Sequence, residues 1–204
     1  MIIIVNYNMG NVGSILNMLK KVGAEGIISS DPEVILRAEK LILPGVGAFD
    51  QGVANLENLG LIPILNEKVL VQATPIIGIC LGMQLMTESS EEGKNSGLGW
   101  VKGRTVRFDR QRTKQLKIPH MGWDVIIPRK ESDLMDGLSH DARFYFVHSY
   151  HVLCENTADV LTTTTYGYEF ASSFQHGNIF GVQFHPEKSH KYGMKLLKNF
   201  VEYL

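Results

Sequence analysis

Short apolar segments that alternate with helix-forming segments constrain the fold of this chain more than any other feature of its sequence. The first half carries four of them, at Ile2–Val5, Ile27–Ser29, Lys40–Leu43 and Pro75–Ile79. The last two are apolar along almost their whole length, so both of their faces need cover, as in a parallel sheet between helices. The sequence therefore predicts an α/β fold with a mixed, mostly parallel central sheet flanked by helices.

Periodicity and end signals predict the helices. Gly23 ends a first helix whose apolar residues recur at helical spacing, namely Val12, Ile15, Leu16, Leu19 and Val22. A second helix is predicted to start at Asp31-Pro32-Glu33, where a capping side chain precedes a proline and an acid. The last 15 residues predict one more amphipathic helix, with its apolar face at Tyr192, Leu196, Leu197, Phe200, Val201 and Leu204.

The second half of the chain has the alternating pattern of half-buried strands. The predicted strands, which would extend the sheet in an antiparallel or mixed way, are Thr105–Phe108, Val125–Ile127, Arg143–Val147, Val160–Thr165 and Ile179–Phe184. No repeat, low-complexity tract or linker interrupts the sequence. Residues 1–204 are therefore predicted to form a single domain.

Composition excludes several classes of function. The 204 residues carry 20 basic and 21 acidic side chains, a net charge of −1 that disfavours nucleic-acid binding. No stretch approaches the ~20 apolar residues of a membrane span, and the N-terminus lacks the features of a secretory signal. Two cysteines, at positions 80 and 154, cannot form a four-cysteine zinc site or a disulfide framework. We expect a cytoplasmic protein with no membrane or nucleic-acid partner.

The segment Gly78-Ile79-Cys80-Leu81-Gly82 follows the fourth apolar strand and opens a helical stretch. It has the form G-x-C-x-G, the cysteine counterpart of a nucleophile elbow. The glycines make room for a sharply turned backbone, and the position lies at the carboxyl edge of the sheet, near a helix N-terminus that favours a thiolate. Cys80 is thus the candidate nucleophile; the alternative is an ordinary buried cysteine between two glycines.

Among the seven histidines, His185 is the candidate base. It ends the predicted strand Ile179–Phe184, and Pro186 then fixes the local backbone. The carboxylate of Glu187, two residues on, can hold the imidazole in one tautomer and orientation. The pattern predicts Cys80 as nucleophile, His185 as base and Glu187 as the group that orients His185; a loop with a solvated glutamate is the alternative.

Acyl transfer at Cys80 would also need hydrogen-bond donors for the developing oxyanion. One predicted donor is the backbone N–H of Leu81. The second is expected from the loop Pro44-Gly45-Val46-Gly47, at Val46 or Gly47, because its glycines let a peptide rotate toward the site. A plain strand-to-helix turn is the alternative for this loop.

Other polar and aromatic residues give weaker signals. His148 and His151 lie three apart on a predicted strand and should face opposite sides, so no metal site is predicted there. Cys154 is interpreted as a buried structural thiol. By residue type alone, Trp100 and Trp123 are interpreted as core residues.

Seven short segments spread over essentially the whole chain form a more specific pattern. They are Tyr7–Asn11, Leu43–Phe49, Gly78–Gln84, Ser89–Gly93, Pro119–Trp123, Phe146–Tyr150 and Gln183–Ser189. Together they resemble the class I, or triad, glutamine amidotransferases, and within that class the glutaminase subunits of imidazole glycerol phosphate synthase in histidine biosynthesis. The resemblance implies a flavodoxin-like fold and no cofactor.

The resemblance also implies roles for individual residues. Cys80 would attack the side-chain amide of L-glutamine, with His185 as base and then acid. The positions that match those holding the amino-acid head of glutamine are Gln84, Glu92, Ser149 and Tyr150. The ammonia would pass to a separate (β/α)₈-barrel cyclase subunit that makes imidazole glycerol phosphate and AICAR, and the glutaminase would be nearly dormant until this partner docks. The positions facing the partner would be Asn11, Trp123, Tyr145 and Lys188.

The sequence departs from the family pattern at two places, and three other functions stay open as alternatives. Asn6-Tyr7-Asn8 stands where the family usually has Asp-Tyr-Gly, and Asp124 stands where it usually has Asn. One alternative is a paralogous glutaminase subunit that supplies ammonia to a sugar amidotransferase for surface polysaccharides. A second is a stand-alone cysteine hydrolase with no partner. The third is a silent scaffold, against which the presence of Cys80, His185 and Glu187 together argues.

Overall fold

A central sheet of eleven strands organises the part of the chain that the structure describes, residues 1–113 and 116–204 of a computed structural model. The strands within these residues, including the two of a separate small sheet, are β1 Ile2–Val5, β2 Gly26–Ser29, β3 Lys40–Leu43, β4 Ile76–Ile79, β5 Ser89–Ser90, β6 Gly103–Arg107, β7 His120–Val125, β8 Ile127–Pro128, β9 Arg143–His148, β10 Tyr150–Cys154, β11 Val160–Tyr166, β12 Tyr168–His176 and β13 Ile179–Val182.

Five parallel strands form one side of the large sheet, in the order β2-β1-β3-β4-β13. From β13 the sheet continues through antiparallel β12, β10 and β6 and ends on the short parallel strand β5, while β11 and β8 pair beyond β12. Strands β7 and β9 form the separate antiparallel ribbon. The predicted mixed sheet flanked by helices is confirmed.

Helices lie on both faces of the sheet. They are α1 Val12–Lys21, α2 Pro32–Leu36, α3 Phe49–Asn58, α4 Leu61–Asn66, α5 Leu81–Leu85 and α6 His190–Tyr203. The Asp31 side chain caps α2 by accepting the N–H of Glu33 at 2.9 Å, as the sequence predicts. In the described ranges, no helix combines the length and apolar character that crossing a membrane requires.

Strand β1 shows why an inner strand of this sheet is apolar throughout. Ile2 and Ile4 pack in one core cluster and Ile3 and Val5 in another, because successive side chains point to opposite faces of a sheet. The first cluster includes buried residues of α1 and α6, and the second those of α3, α4 and α5. Both faces of β1 are therefore buried under helices.

Two interpretations of individual residues are wrong. His148 and His151 do not face opposite sides, because β9 ends at His148 and a bend at Ser149 restarts the alternation. Both imidazoles lie against Phe108, with ring centroids 5.2 and 4.8 Å away. Trp123 is not a core residue, since 44% of it is exposed, whereas Trp100 is buried.

Two strand predictions also need correction, and one strand was missed. Strand β13 ends at Val182, two residues before the predicted Phe184, and irregular backbone leads from there to His185. The predicted strand Val125–Ile127 is interrupted, because β7 ends at Val125 and β8 begins at Ile127. Strand β12 was not predicted, although all five residues from 170 to 174 are buried.

Candidate active site

Cys80 stands at a sharp turn between strand β4 and helix α5. Its backbone is left-handed, with φ +54° and ψ −109°, a region that residues with a side chain rarely occupy. The N–H of Cys80 donates to the carbonyl of Val182 at 2.8 Å, which ties the turn to the neighbouring strand β13. The predicted strand–turn–helix elbow is present, and its strain is of the kind found at functional sites.

The glycines on either side of Cys80 are required by backbone contact. A Cβ atom on Gly82 would lie 1.9 Å from the carbonyl oxygen of Leu43, and one on Gly78 would lie 2.7 Å from the carbonyl carbon of Gly82. Neither neighbour is a side chain that could move aside. Helix α5 can thus start directly against strands β3 and β4 only because these two positions are glycine.

His185 leaves the same edge of the sheet as Cys80. Strands β4 and β13 are parallel neighbours in which Ile79 lies opposite Val182, so both strands deliver the chain to one place. The N–H of His185 donates to the Tyr145 carbonyl at 2.9 Å, and its carbonyl accepts the Ser189 hydroxyl at 2.6 Å. Hydrogen bonds to both its N–H and its carbonyl therefore fix the backbone that carries the imidazole of His185.

The imidazole of His185 forms a buried pair with Glu187. His185 Nδ1 lies 2.8 Å from Glu187 Oε1, and the two side chains are only 1% and 3% exposed. Because Nδ1 faces a carboxylate, the opposite nitrogen Nε2 is available to Cys80; it is buried and has no standard hydrogen bond among the described residues. Burial on its own would lower the pKa of His185, but the nearby Cys80 sulfur and the hydrogen-bonded Glu187 carboxylate outweigh burial and raise this pKa to about 10.

Gln183 is a site residue that sequence reasoning did not single out. Its side chain is fully buried, and its Nε2 donates to Cys80 Sγ at 3.6 Å. Its Oε1 accepts from Gln84 Nε2 at 3.0 Å, and the same Gln84 nitrogen donates to the Tyr150 carbonyl at 3.2 Å. The available signal was a polar side chain directly after an apolar strand and two residues before the candidate base.

The predicted oxyanion donors lie beside Cys80, but one of them is occupied. The N–H of Leu81 donates to the carbonyl of Gly45 at 3.3 Å. Gly45 approaches so closely that a Cβ on it would lie 2.7 Å from the Gly82 nitrogen. Val46 and Gly47 follow at the wall of the site, and Gly47 has φ +124°. The loop therefore points a carbonyl at the donor that an oxyanion would need.

A cavity of about 300 Å³ joins these groups. Of the predicted catalytic, oxyanion and substrate positions, all but Glu187 border this cavity, and Glu187 contacts His185 from outside it. The bordering residues are Val46, Gly47, Cys80, Leu81, Gln84, Glu92, Ser149, Tyr150 and His185. Glu92 Oε2 accepts the N–H of Phe49 at 3.0 Å, which fixes that carboxylate at the start of α3. The cavity thus offers a small polar ligand a carboxylate, side-chain amides and a thiol.

Three of the four predicted partner-facing residues form an exposed aromatic patch, which we define as Trp123, Tyr145, Lys188 and His190. The Trp123 and His190 rings are parallel within 10° and 5.4 Å apart, and Trp123 lies 6.2 Å from Tyr145. Lys188 Nζ lies 5.7 Å from the Tyr145 ring centroid. The fourth predicted residue, Asn11, is exposed at the start of α1, where its side chain accepts the Ser14 N–H at 3.1 Å.

A strained cysteine, a buried histidine–glutamate pair and a polar cavity at a sheet edge are the features that acyl transfer through a thiol nucleophile requires. The family model described as "Glutamine amidotransferase class-I" matches residues 3–203. The chain belongs to this family.

Individual relatives narrow the similarity. Imidazole glycerol phosphate synthase subunit HisH 2 of Methanococcus maripaludis is 55% identical over 202 residues, and the match covers 99% of each chain. The protein of the same name from Pseudomonas aeruginosa is 48% identical, again over 99% of each chain. Among solved structures, a glutamine amidotransferase matches with TM-score 0.76 at 16% identity (98% of this chain, 97% of the other), and PurLQS of Thermotoga maritima with 0.74 at 18% (99% and 97%).

Proposed function

We propose that this chain is the glutaminase subunit of imidazole glycerol phosphate synthase, hydrolysing glutamine to glutamate and ammonia. The observation that carries the proposal is the placement of Cys80 and the open Nε2 of His185 at one cavity, with Glu187 fixing the other ring nitrogen. The full-length relatives named as subunits of that synthase support the choice of pathway. We also propose that the reaction takes place in the cytoplasm and that residues 1–204 form one domain.

The reaction would run in two halves around Cys80 and His185. With the thiol proton held on His185, the sulfur attacks the side-chain carbonyl carbon of glutamine and the π electron pair moves to oxygen. When the oxyanion collapses, the C–N bond breaks and His185 returns its proton to the nitrogen, which leaves as ammonia. Water that gives a proton to His185 then attacks the thioester, and collapse releases glutamate and the thiolate.

The cavity wall supplies contacts for the amino-acid head of glutamine. The Glu92 carboxylate, held by the N–H of Phe49, would pair with the α-ammonium group. Gln84 and the backbone at Ser149 and Tyr150 would hold the α-carboxylate and position the side chain against Cys80. Such a set selects an α-amino acid and leaves the reacting amide at the sulfur.

The ammonia would be delivered to a (β/α)₈-barrel cyclase subunit in a heterodimer. The aromatic patch, with Asn11 nearby on the helix that packs against the turn carrying Lys188, is the proposed docking face. Aromatic side chains such as Trp123 and Tyr145 are enriched at protein interfaces. A partner seated there would also lie beside the cavity, because Lys188 borders both the patch and the cavity.

Acceptor dependence tests the choice of pathway. We expect glutamine hydrolysis to rise when the cyclase subunit and the phosphoribulosyl aminoimidazole intermediate are added, and imidazole glycerol phosphate to form in equal amount. Glutamate and product are measured together, with ammonium chloride replacing glutamine as the control for the cyclase. Stimulation by a sugar amidotransferase and its sugar, but not by the cyclase, would instead assign the chain to the paralogous function.

An electrophilic glutamine analogue should modify Cys80 and leave Cys154 untouched. Burial raises the pKa of the Cys154 thiol to about 12, so this residue holds almost no thiolate at neutral pH. Mass mapping of the adduct measures the outcome, with iodoacetamide as the control reagent that has no amino-acid head. Labelling of Cys154 instead, or labelling that free glutamine does not compete away, would contradict the proposed site.

A further inference from the structure

A hydrogen-bonded chain continues from the cavity wall to the surface. His148 Nδ1 lies 2.7 Å from the Tyr150 carbonyl oxygen, and His148 Nε2 lies 3.1 Å from His120 Nδ1. His120 Nε2 lies 3.2 Å from Asp124 Oδ2. The side chain of His120 is 3% exposed and that of Asp124 is 38% exposed. We call these four groups, the Tyr150 carbonyl, His148, His120 and Asp124, the relay.

The relay has three contacts and needs a proton in each. Its two ends, a carbonyl and a carboxylate, accept hydrogen bonds and donate none. Two neutral imidazoles supply only two protons, so one contact then joins two lone pairs. Since the carboxylate is the stronger acceptor, the missing proton falls at one of the other two contacts, either between the two histidines or at the Tyr150 carbonyl. A third proton, shared by His120 and Asp124, completes all three contacts.

The Tyr150 carbonyl connects the relay to the reacting groups. It also accepts from Gln84 Nε2, which donates to Gln183, and Gln183 in turn reaches Cys80 Sγ. A donor lost from His148 would thus change how the carbonyl, and with it Gln84, is held at the wall of the cavity. The proton count of the relay therefore acts on the groups that border the ligand.

Resting on the proposed function, we propose that Asp124, His120 and His148 are positioning residues that hold the Tyr150 wall of the glutamine site firmly only when the relay has bound its third proton. The two states differ by one proton at a fixed location, so this relay is a discrete two-state element. Glutamine binding would be tighter in the protonated state.

The groups around the two histidines determine the pH at which the third proton binds. The titratable groups that face the two relay histidines from neighbouring elements are Asp124, His151, Tyr166 and His185, while Tyr168, Arg112 and Glu91 act on His151. Burial lowers the pKa of His120 from 6.5, although Asp124 opposes this, and burial lowers the pKa of His148 well below 6.5. Burial and Asp124 raise the pKa of Tyr166, which stays neutral. The third proton therefore binds as the pH falls below 6.5.

The Asp124→Asn variant changes the proton count and little else. An asparagine amide can donate to His120 Nε2, so the two ring protons then complete the remaining contacts without a third. The new residue matches aspartate in shape at a half-exposed position. In the variant, all three hydrogen bonds of the relay are thus formed at every pH, whereas in the wild type they are all formed only at acidic pH.

Nuclear magnetic resonance of the histidine ring nitrogens tests the proton count in the free chain, without any turnover. In the wild type we expect one proton to bind at the His120–His148 pair, with its midpoint below pH 6.5. In Asp124→Asn we expect no protonation step at this pair over the same range. Identical titrations in the two proteins, or no step at this pair in the wild type, would overturn the relay.

Kinetics tests the effect on the site. The ratio of the wild-type KM for glutamine to that of Asp124→Asn should fall about fivefold from about pH 7.5 to about pH 5.5, the factor that one net hydrogen bond supplies. The ratio of the two kcat values should stay constant with pH, because Cys80 and His185 are unchanged in the variant. A ratio of KM values that does not change with pH would overturn the positioning role.

Asp159→Asn is the matched control. Asp159 Oδ1 lies 3.0 Å from His176 Nδ1, so this variant makes the same substitution in another aspartate–histidine pair. It should leave both the protonation step at the His120–His148 pair and the pH dependence of KM as in the wild type. If the relay shows its protonation step but the chain does not hydrolyse glutamine, the proposed function is refuted, while the inferred number of protons in the relay stands.

Discussion

Replacing Cys80 by alanine is expected to abolish glutamine hydrolysis, because no other group in the cavity can form the thioester. The fold should persist, since the backbone strain at φ +54° is already present with cysteine and the sulfur makes one long hydrogen bond, to Gln183. His185→Ala should lower the rate almost as far, by about 10²–10⁴-fold, the usual value of a positioned acid–base group. Glutamate release measures the loss, and circular dichroism measures the fold.

Cys154→Ser is the control for this experiment. Cys154 lies in strand β10 and its thiol faces no part of the cavity, so glutaminase activity should remain. Substantial hydrolysis by Cys80→Ala would refute the assignment of the nucleophile, and with it the proposed reaction. A fold lost only in Cys80→Ala would be checked with Cys80→Ser, which keeps the size of the side chain.

Docking of the cyclase subunit with its acceptor is expected to raise glutaminase activity at least about 10²-fold. In the free chain the N–H of Leu81 is taken by the Gly45 carbonyl, and one missing oxyanion donor costs about 10²–10³ in rate. Rotation of the peptides at Val46 and Gly47 would release Leu81 and add a second donor. A partner can drive this rotation only if it contacts the rotated loop better than the resting one; Val46, 50% exposed, is where such contact can be made.

Steady-state kinetics of the free subunit and of the reconstituted pair measure this stimulation. Most of the change should appear in kcat, because the loop acts on the transition state rather than on the head of glutamine. A Trp123→Ala variant should need more cyclase for the same stimulation and keep the low activity of the free chain. Full activity of the free chain, or stimulation confined to KM, would contradict a switch in the oxyanion loop.

The parallel part of the fold was predictable because its signals are local. Apolar runs, the Asp31 cap and the elbow glycines each describe a few consecutive residues, and the structure has β1, α2 and the turn at Cys80 where the sequence places them. Strand β12 was missed for a physical reason. Its buried centre contains Ala171, which has low strand propensity, and the polar residues Ser172 and Ser173, whose hydroxyls hydrogen-bond Thr162 of the adjacent strand.

Contacts between distant segments explain what the sequence did not reveal at the site. Phe108, His120 and His148 come from three separate segments and meet only because ribbon β7–β9 folds against the large sheet. The wrong prediction for His148 and His151 assumed one continuous strand, and a single bend at Ser149 was enough to reverse it. The roles of Cys80, His185 and Glu187 stay predictions until the variants are measured.

The ribbon β7–β9 is a sheet separate from the one that positions Cys80 and His185, and this separation affects how the sequence can change during evolution. Cys80 and His185 follow two strands of the large sheet, where a single added carbon at Gly82 would collide with backbone. Trp123 and Tyr145 pair across the ribbon instead, where exposed side chains can be exchanged without disturbing that packing. After a gene duplication, mutations in the ribbon could therefore direct one copy to a new ammonia-accepting enzyme, while both copies keep the same chemistry.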